Sequence, residues 1–328
     1  MEARDLARAL WITAPGQAQL RSEPLAQPRA GQASVQTLFS GVSRGTEALV
    51  FAGRVPVSEH ERMRAPFQSG DFPAPVKYGY ANVGQVVLGP SELLGQLVFC
   101  LYPHQERYVV PCEALHALPP EVPAERAILA ANLESALNGI WDAAIAPGDR
   151  VSVIGAGSIG CLSAWLVAQI IGCEVELIDV NAQRAEIARE LGVRFATPGR
   201  ARSEADVILH ASGSSEGLAL ALQLAGFEAS IIELSWYADH PVQLPLGGPF
   251  HSRRLTLRSS QVGNVATTHR SRWTTRRRLT LALSLLADSR LDALINSEGS
   301  FEELPQTMAR LAHGPGQVIM HRVRYAAR

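Results

Sequence analysis

Apolar residues change their spacing twice along this chain. Up to about residue 128 they alternate with polar residues in short runs, at 33–39, 84–87, 96–101 and 107–110, with glycine and proline between them. Alternation with a period of two puts one face of a strand against a core, so this part is expected to be β-rich. Over 127–144 the spacing turns helical, and Pro147-Gly148-Asp149 ends it. Short β-branched runs then alternate with helical ones. Strands are expected at 151–154, 174–179, 206–211 and 229–234, and helices at 158–171, 182–191 and 215–225. Such alternation builds a parallel, doubly wound α/β sheet. Past about residue 270 the order changes again, to a helix over 276–287, a short strand at 291–295, a helix over 301–312 and a last strand over 317–325. One domain therefore comprises residues 1–128 and 271–328, and an α/β domain of residues 129–270 is set inside it.

Composition narrows the class. With 47% hydrophobic and 19% charged residues, the chain is expected to be soluble and globular rather than disordered. A net charge of −1 creates no global field to recruit nucleic acid or a membrane. The opening stretch contains acids and lacks a long apolar centre, so no secretory signal is expected. No apolar run approaches the ~18 residues of a membrane-spanning helix. Cys100, Cys112, Cys161 and Cys173 form no C-x-x-C pair, and free thiols in a cytoplasmic protein are the simplest expectation. Lys77 is the only lysine. Arginines concentrate at 253, 254, 258, 270, 272 and 276–278. Without an interleaved aromatic platform, that concentration reads as a solvated helix face or an ion-pair region, not a nucleic-acid patch.

The most informative segment is VSVIGAGSIG, residues 151–160, followed by VELID, residues 175–179. Gly155, Gly157 and Gly160 fit G-x-G-x-x-G between a strand and a helix. In that setting the first glycine makes the tight turn, the second admits a pyrophosphate and the third lets helix and strand approach. The helix N-terminus, with Ser158 and Ile159, offers free N–H groups to phosphates. Asp179, at the end of the second strand, suits the hydroxyls of an adenosine ribose and opposes a 2′-phosphate. NAD is therefore favoured over NADP. Arg184, five residues on, keeps NADP open.

The whole arrangement resembles the medium-chain dehydrogenase/reductase superfamily, of the zinc-type alcohol dehydrogenase-like kind. SGVSRGTE, residues 40–47, is similar to its C-G-I-C-G-T-D motif. PVKYGYANVGQVV, residues 75–87, is similar to G-H-E-x-x-G-x-V. Residues 146–160 resemble the approach to its cofactor loop. SGVSRGTEALVFAGRVP resembles most the branch containing 3-hydroxyethyl bacteriochlorophyllide a dehydrogenase. The resemblance implies a GroES-like, partly open β-barrel with a Rossmann domain inserted, a small-molecule alcohol or carbonyl substrate, and a homodimer. It also implies that Ser212, Ser235 and Ser260 lie where small residues line the nicotinamide pocket.

The departures from that pattern remove the metal. Where zinc members carry Cys, this chain has Arg44 or Ser43; where they carry His-Glu, it has Tyr80-Ala81. The third ligand position falls near Ala131–Asn132, with Glu134 close by. Zinc needs thiolate, imidazole or carboxylate donors, so no metal is expected. The proton chemistry must then come from side chains. Thr46 stands where the family keeps a relay hydroxyl. Tyr80 stands where it keeps a ligand His, with Lys77 or Arg44 as the cation that would lower its pKa. Glu47, Glu134 and His104 are the remaining candidates. Two rival readings stay open: a quinone- or enone-type reductase using NADPH, and a nucleotide-binding protein without turnover.

Overall fold

The computed structural model describes residues 6–314 and 316–326. Residues 1–5 of the opening stretch, Pro315 and the last two residues lie outside the described residues. The chain divides into two compact units, Met1–Ala131 with Leu283–Asp288 and Ile295–Arg328, and Asn132–Ala282 with Ser289–Leu294.

In the first unit the expected alternation appears as two mainly antiparallel sheets. A hairpin of Leu6–Ala14 and Gln17–Pro24 extends through Val76–Lys77 to Ser69–Gly70. The second sheet is built around the long strand Gln32–Ser43. This strand pairs with Met320–Arg324, with Asn82–Leu88 and with Arg107–Pro111. Its inward residues Ala33 and Val35 pack with Val86, Val98, Tyr108 and Val110, all at most 1% exposed. The helix Arg44–Phe51 starts where that strand stops, so the S-G-V-S-R-G-T-E motif spans a strand end and a helix start. Arg44 donates to the carbonyls of Leu311 (3.1 Å) and Gly314 (2.8 Å), at the end of the helix Leu304–His313. A guanidinium suits that negative helix end.

The second unit is a six-stranded sheet in the order Arg194–Ala196, Glu174–Ile178, Arg150–Ile154, Ala205–His210, Ala225–Glu233 and Thr256–Ser259, parallel throughout. Chain direction across the sheet reverses between Arg150–Ile154 and Ala205–His210. Ligands of such sheets bind beyond the carboxyl ends of the strands at this switch point. A core of Ile154, Ile178, Ile208, Leu222 and Ile231 lies under the helices of one face.

Two expectations are corrected. Residues 291–295 are not a strand: Ser289–Leu294 is a short 3-10 helix that belongs to the second unit. Leu291 and Leu294, both fully buried, are three apart, which suits a three-residue turn and not a pleat. The strand comes just after, at Ser297–Ser300. The return to the first unit also falls later than residue 271. Residues up to Ala282 group with the parallel sheet, and Arg278 anchors them there. It is 1% exposed, not on a solvated face. Its guanidinium meets Glu134 (3.0 Å), Asn138 and the Val262 carbonyl.

Removing one partner of a buried ion pair strands the other charge, which costs about 3–5 kcal/mol. Arg278→Met is expected to lower stability to urea by about that much, and adding Glu134→Leu should recover most of it. A cost below about 1 kcal/mol in the single variant would show that the pair does not anchor this segment.

Candidate functional site

In the second unit the glycine loop has the shape its spacing demands. Gly155 adopts φ +102°, and a Cβ there would sit 2.6 Å from the Ser212 backbone nitrogen. A Cβ on Gly160 would sit 1.8 Å from the Gly155 carbonyl oxygen, so no larger residue fits either place. Gly157 has open space in front of it and caps the helix Ser158–Val167. Ser158 is buried in the first turn beside the half-buried Ile159. Asp179 follows the strand Glu174–Ile178. Its carboxylate accepts the N–H groups of Ala156 (2.7 Å) and Asn181 (2.8 Å). The loop and the acid are thus held as one piece, with the open cradle of Gly157 and a helix N-terminus between them. That geometry fits a dinucleotide pyrophosphate. Arg184 is 6% exposed and close enough to Cys161 to act on its thiol, so it is turned inward and not displayed on the helix surface.

The serines expected near the nicotinamide pocket are all engaged. Gly213 N–H donates to Ser235 Oγ (3.0 Å), and Ser260 donates to Asp142 (2.7 Å). Ser212 Oγ lies 2.6 Å from His210 Nε2, and His210 Nδ1 lies 2.7 Å from Glu233, which also accepts the Tyr237 hydroxyl at 2.9 Å. His210, Glu233 and Tyr237 were not singled out by the sequence. They carry no motif spacing, and only the adjacency of two parallel strand ends unites them.

In the first unit four of the seven proton-chemistry candidates come together. Glu47 and His104 are each 1% exposed, with His104 Nε2 2.8 Å from Glu47 Oε2. The other carboxylate oxygen accepts the Ser43 N–H at 2.9 Å. An ionised carboxylate only accepts, so Nε2 carries a proton. Nδ1 then lies 2.7 Å from Ser40 Oγ, itself 3.0 Å from the Tyr325 hydroxyl. Gly79, at φ +136°, makes room for this ring: a Cβ there would lie 3.0 Å from His104 Cδ2. The next residue is Tyr80, whose ring meets Tyr78 edge-on at 6.1 Å. Ser43 and Thr46 lie close enough to the Tyr80 phenol to pull its pKa down.

Three candidates lie elsewhere. Lys77 Nζ is bound to Glu23 (2.7 Å) and Gln105 (2.9 Å). Arg44 is committed to the helix carbonyls already described, and Glu134 to Arg278. The expected cation beside Tyr80 is therefore not Lys77 or Arg44. The charge near Tyr80 is Glu47, and burial together with that carboxylate pushes the phenol well above its ordinary range, against the pull of Ser43 and Thr46. Tyr80 is a protonated donor, not a phenolate. The residues at the positions matched to zinc-ligand motifs, Ser43 or Arg44, Tyr80-Ala81 and Ala131–Asn132, offer no thiolate, imidazole or carboxylate. Among the described residues no three His, Cys, Asp or Glu side chains are grouped to hold a metal ion.

The ketopantoate reductase PanE/ApbA family matches residues 151–220, the glycine loop and the strands that follow. A zinc-type alcohol dehydrogenase-like protein of Haemophilus influenzae is 26% identical over 62% of this chain and 60% of its own length. The chain thus spans less than two thirds of that relative. D-guloside 3-dehydrogenase of Escherichia coli is 23% identical over 89% of both chains. Acetophenone reductase of Geotrichum candidum, solved with NAD, has the same fold, with a TM-score of 0.78, 16% identity and coverage of 99% of this chain and 98% of its own.

Burial pushes the Cys161 thiol, in the loop's helix, up to about 12, and does the same to Cys100. Thiolate is the reactive form, so at pH 8 only about one in 10⁴ of either is ionised. A disulfide reagent at pH 8 is expected to titrate Cys112 and Cys173 rapidly, and all four thiols only after denaturation. Rapid modification of Cys161 in the native protein would contradict the packing of this helix.

Proposed function

We propose that this chain, similar to dehydrogenases of the medium-chain dehydrogenase/reductase superfamily, interconverts an alcohol and a carbonyl compound with NAD(H) and without zinc. The observation that supports this reading is the buried pair Glu47–His104, hydrogen-bonded to the Ser43 N–H and near Tyr80. Gly155, Gly157, Gly160 and Asp179 would hold the dinucleotide, and its nicotinamide supplies or takes up the hydride. The chain's own residues handle the proton. Tyr80, kept protonated by burial and by Glu47, donates a hydrogen bond to the reacting oxygen and a proton as negative charge develops there. The hydroxyls of Thr46 and Ser43 are the next links. Glu47 and His104 form the buried reservoir, with Ser40 and Tyr325 fixing the imidazole. In the oxidising direction the same chain carries the proton away.

Removal of a general acid typically costs about 10²–10⁴ in rate. Tyr80→Phe is expected to lower single-turnover hydride transfer by that much, with cofactor affinity nearly unchanged. Glu47→Gln should slow the same step and change its pH profile. If Tyr80→Phe keeps the wild-type rate and profile, the proton path lies elsewhere. Cofactor binding with no oxidation of any alcohol in a broad panel would favour a binding protein over an enzyme.

Cofactor choice is checked by calorimetry. Wild type should prefer NAD(H), and Asp179→Ser should weaken NAD and relieve the exclusion of NADP. A wild-type preference for NADP would count against the role of Asp179. Elemental analysis of protein purified without added metal should find well under one zinc per chain. One tightly held zinc whose removal abolishes activity would overturn the zinc-free reading.

A further inference from the structure

Residues 240–287 contain eight arginines and no aspartate or glutamate, in a chain whose net charge is −1. The fold neutralises half of them with acids from outside the run. Arg253 meets Glu204 (2.6 Å), Arg254 meets Glu228 (2.8 Å), Arg258 meets Asp142 (2.7 Å) and Arg278 meets Glu134 (3.0 Å). Arg270, Arg272 and Arg277 are exposed and lie within eight residues of one another.

This segment is held rigidly. The Trp141 ring, on the helix Ala130–Ala143, stacks on His269 at 4.3 Å and 2° and meets Trp273 at 4.8 Å. Arg277 lies 3.8 Å over Trp273 and donates to the Arg272 carbonyl (2.9 Å). The Asn138 side chain accepts the Ala266 N–H at 3.0 Å. Burial and the neighbouring Arg272 lower the pKa of His269. The aromatic ladder corrects the expectation that the arginines have no aromatic residues among them.

Charge here runs against local stability. Arg276, Arg277 and Arg278 occupy the first turn of the helix Thr275–Leu285, where the helix dipole favours acids. The segment also leaves the carboxyl end of the strand Thr256–Ser259, the end of a parallel sheet at which ligands bind. Exposed guanidiniums close together in sequence at that end, one of them held over Trp273, offer donors suited to multidentate recognition of phosphate or carboxylate.

We propose that Arg270, Arg272 and Arg277 form an anion-recognition site, and that the substrate of the proposed oxidoreductase carries phosphate or carboxylate groups bound there. The second half of this statement rests on the oxidoreductase reading. A small polyanion fits better than a nucleic acid. Trp141 is covered by His269 and Trp273, and Trp273 by Arg277, so the tryptophan faces that would stack on bases are already in use.

The test uses the full chain, with pyrophosphate and citrate as probes for the phosphate and carboxylate sources. Calorimetry at about 20 mM and about 200 mM salt is run on wild type and on Arg270→Gln/Arg272→Gln, which leaves the Arg277–Trp273 stack intact. Wild type should bind at least one probe, more weakly at high salt, and the double variant about tenfold more weakly or worse. Arg277→Gln, made separately, should also weaken binding. Circular dichroism and the unfolding midpoint should stay near wild type in the double variant, which separates lost binding from lost folding. No binding of either probe at low salt, or equal binding by the double variant, overturns the anion site. Arginine-dependent binding of a single-stranded oligonucleotide far tighter than of either probe overturns the small-anion assignment. NADH is titrated into the same samples. Cofactor binding without anion binding sinks this inference and leaves the oxidoreductase reading standing. Arginine-dependent anion binding without cofactor binding supports the site and sinks the assignment of its ligand as an oxidoreductase substrate.

Discussion

A carboxylate and an imidazole 2.8 Å apart, both almost wholly removed from water, set the terms for the first unit. Two such groups are tolerated inside a protein only when every polar atom is answered. Here Glu47 takes the Ser43 N–H on one oxygen and His104 on the other, and the far ring nitrogen faces Ser40, backed by Tyr325. These partners come from the strand Gln32–Ser43, the helix that follows it, the segment around residue 104 and the last described residues of the chain. The pair thus ties together parts of the chain more than 280 residues apart. Gly79 is part of the same constraint, since any side chain there would press on the ring and disturb the neighbouring Tyr80.

The second unit rests on a different kind of necessity. Gly155 and Gly160 touch backbone at distances that exclude a Cβ, and Asp179 binds the loop amide of Ala156. Those contacts bring a helix N-terminus, a bare stretch of backbone and a carboxylate to one edge of the sheet. On the other side of the switch point, His210 and Glu233 align Ser212 in the same crevice. The crevice is therefore lined by preset polar groups whose orientations are decided before any ligand arrives, which reduces the ordering cost of binding.

Charge is distributed unevenly between structural and displayed roles. Lys77, Arg44 and Arg278 are spent inside the fold on Glu23, on helix carbonyls and on Glu134. Lys77 and Arg44 had a candidate chemical role by position in the sequence, and Arg278 belonged to the expected solvated face or ion-pair region; each holds two segments together. Arg270, Arg272 and Arg277 stay at the surface beyond the carboxyl end of an edge strand, in a segment that carries stacked aromatic rings.

The amino-acid sequence by itself determined the elements whose physics is local. The glycine spacing, the β-branched strand before it and the acid nineteen residues later specify one loop geometry, because backbone contacts at those positions leave no choice of residue. The β-rich beginning and the strand–helix alternation were legible for the same reason. Spacing did less well where burial and not periodicity decides the outcome: Leu291 and Leu294 turned a supposed strand into a 3-10 turn. Only the tertiary structure decided which titratable groups meet. That Glu47 faces His104, that Tyr80 sits by an acid and not a cation, and that His210 joins Glu233 follow from contacts between distant segments. No local pattern records such contacts, because burial and pairing energies depend on what the rest of the chain places next to each side chain.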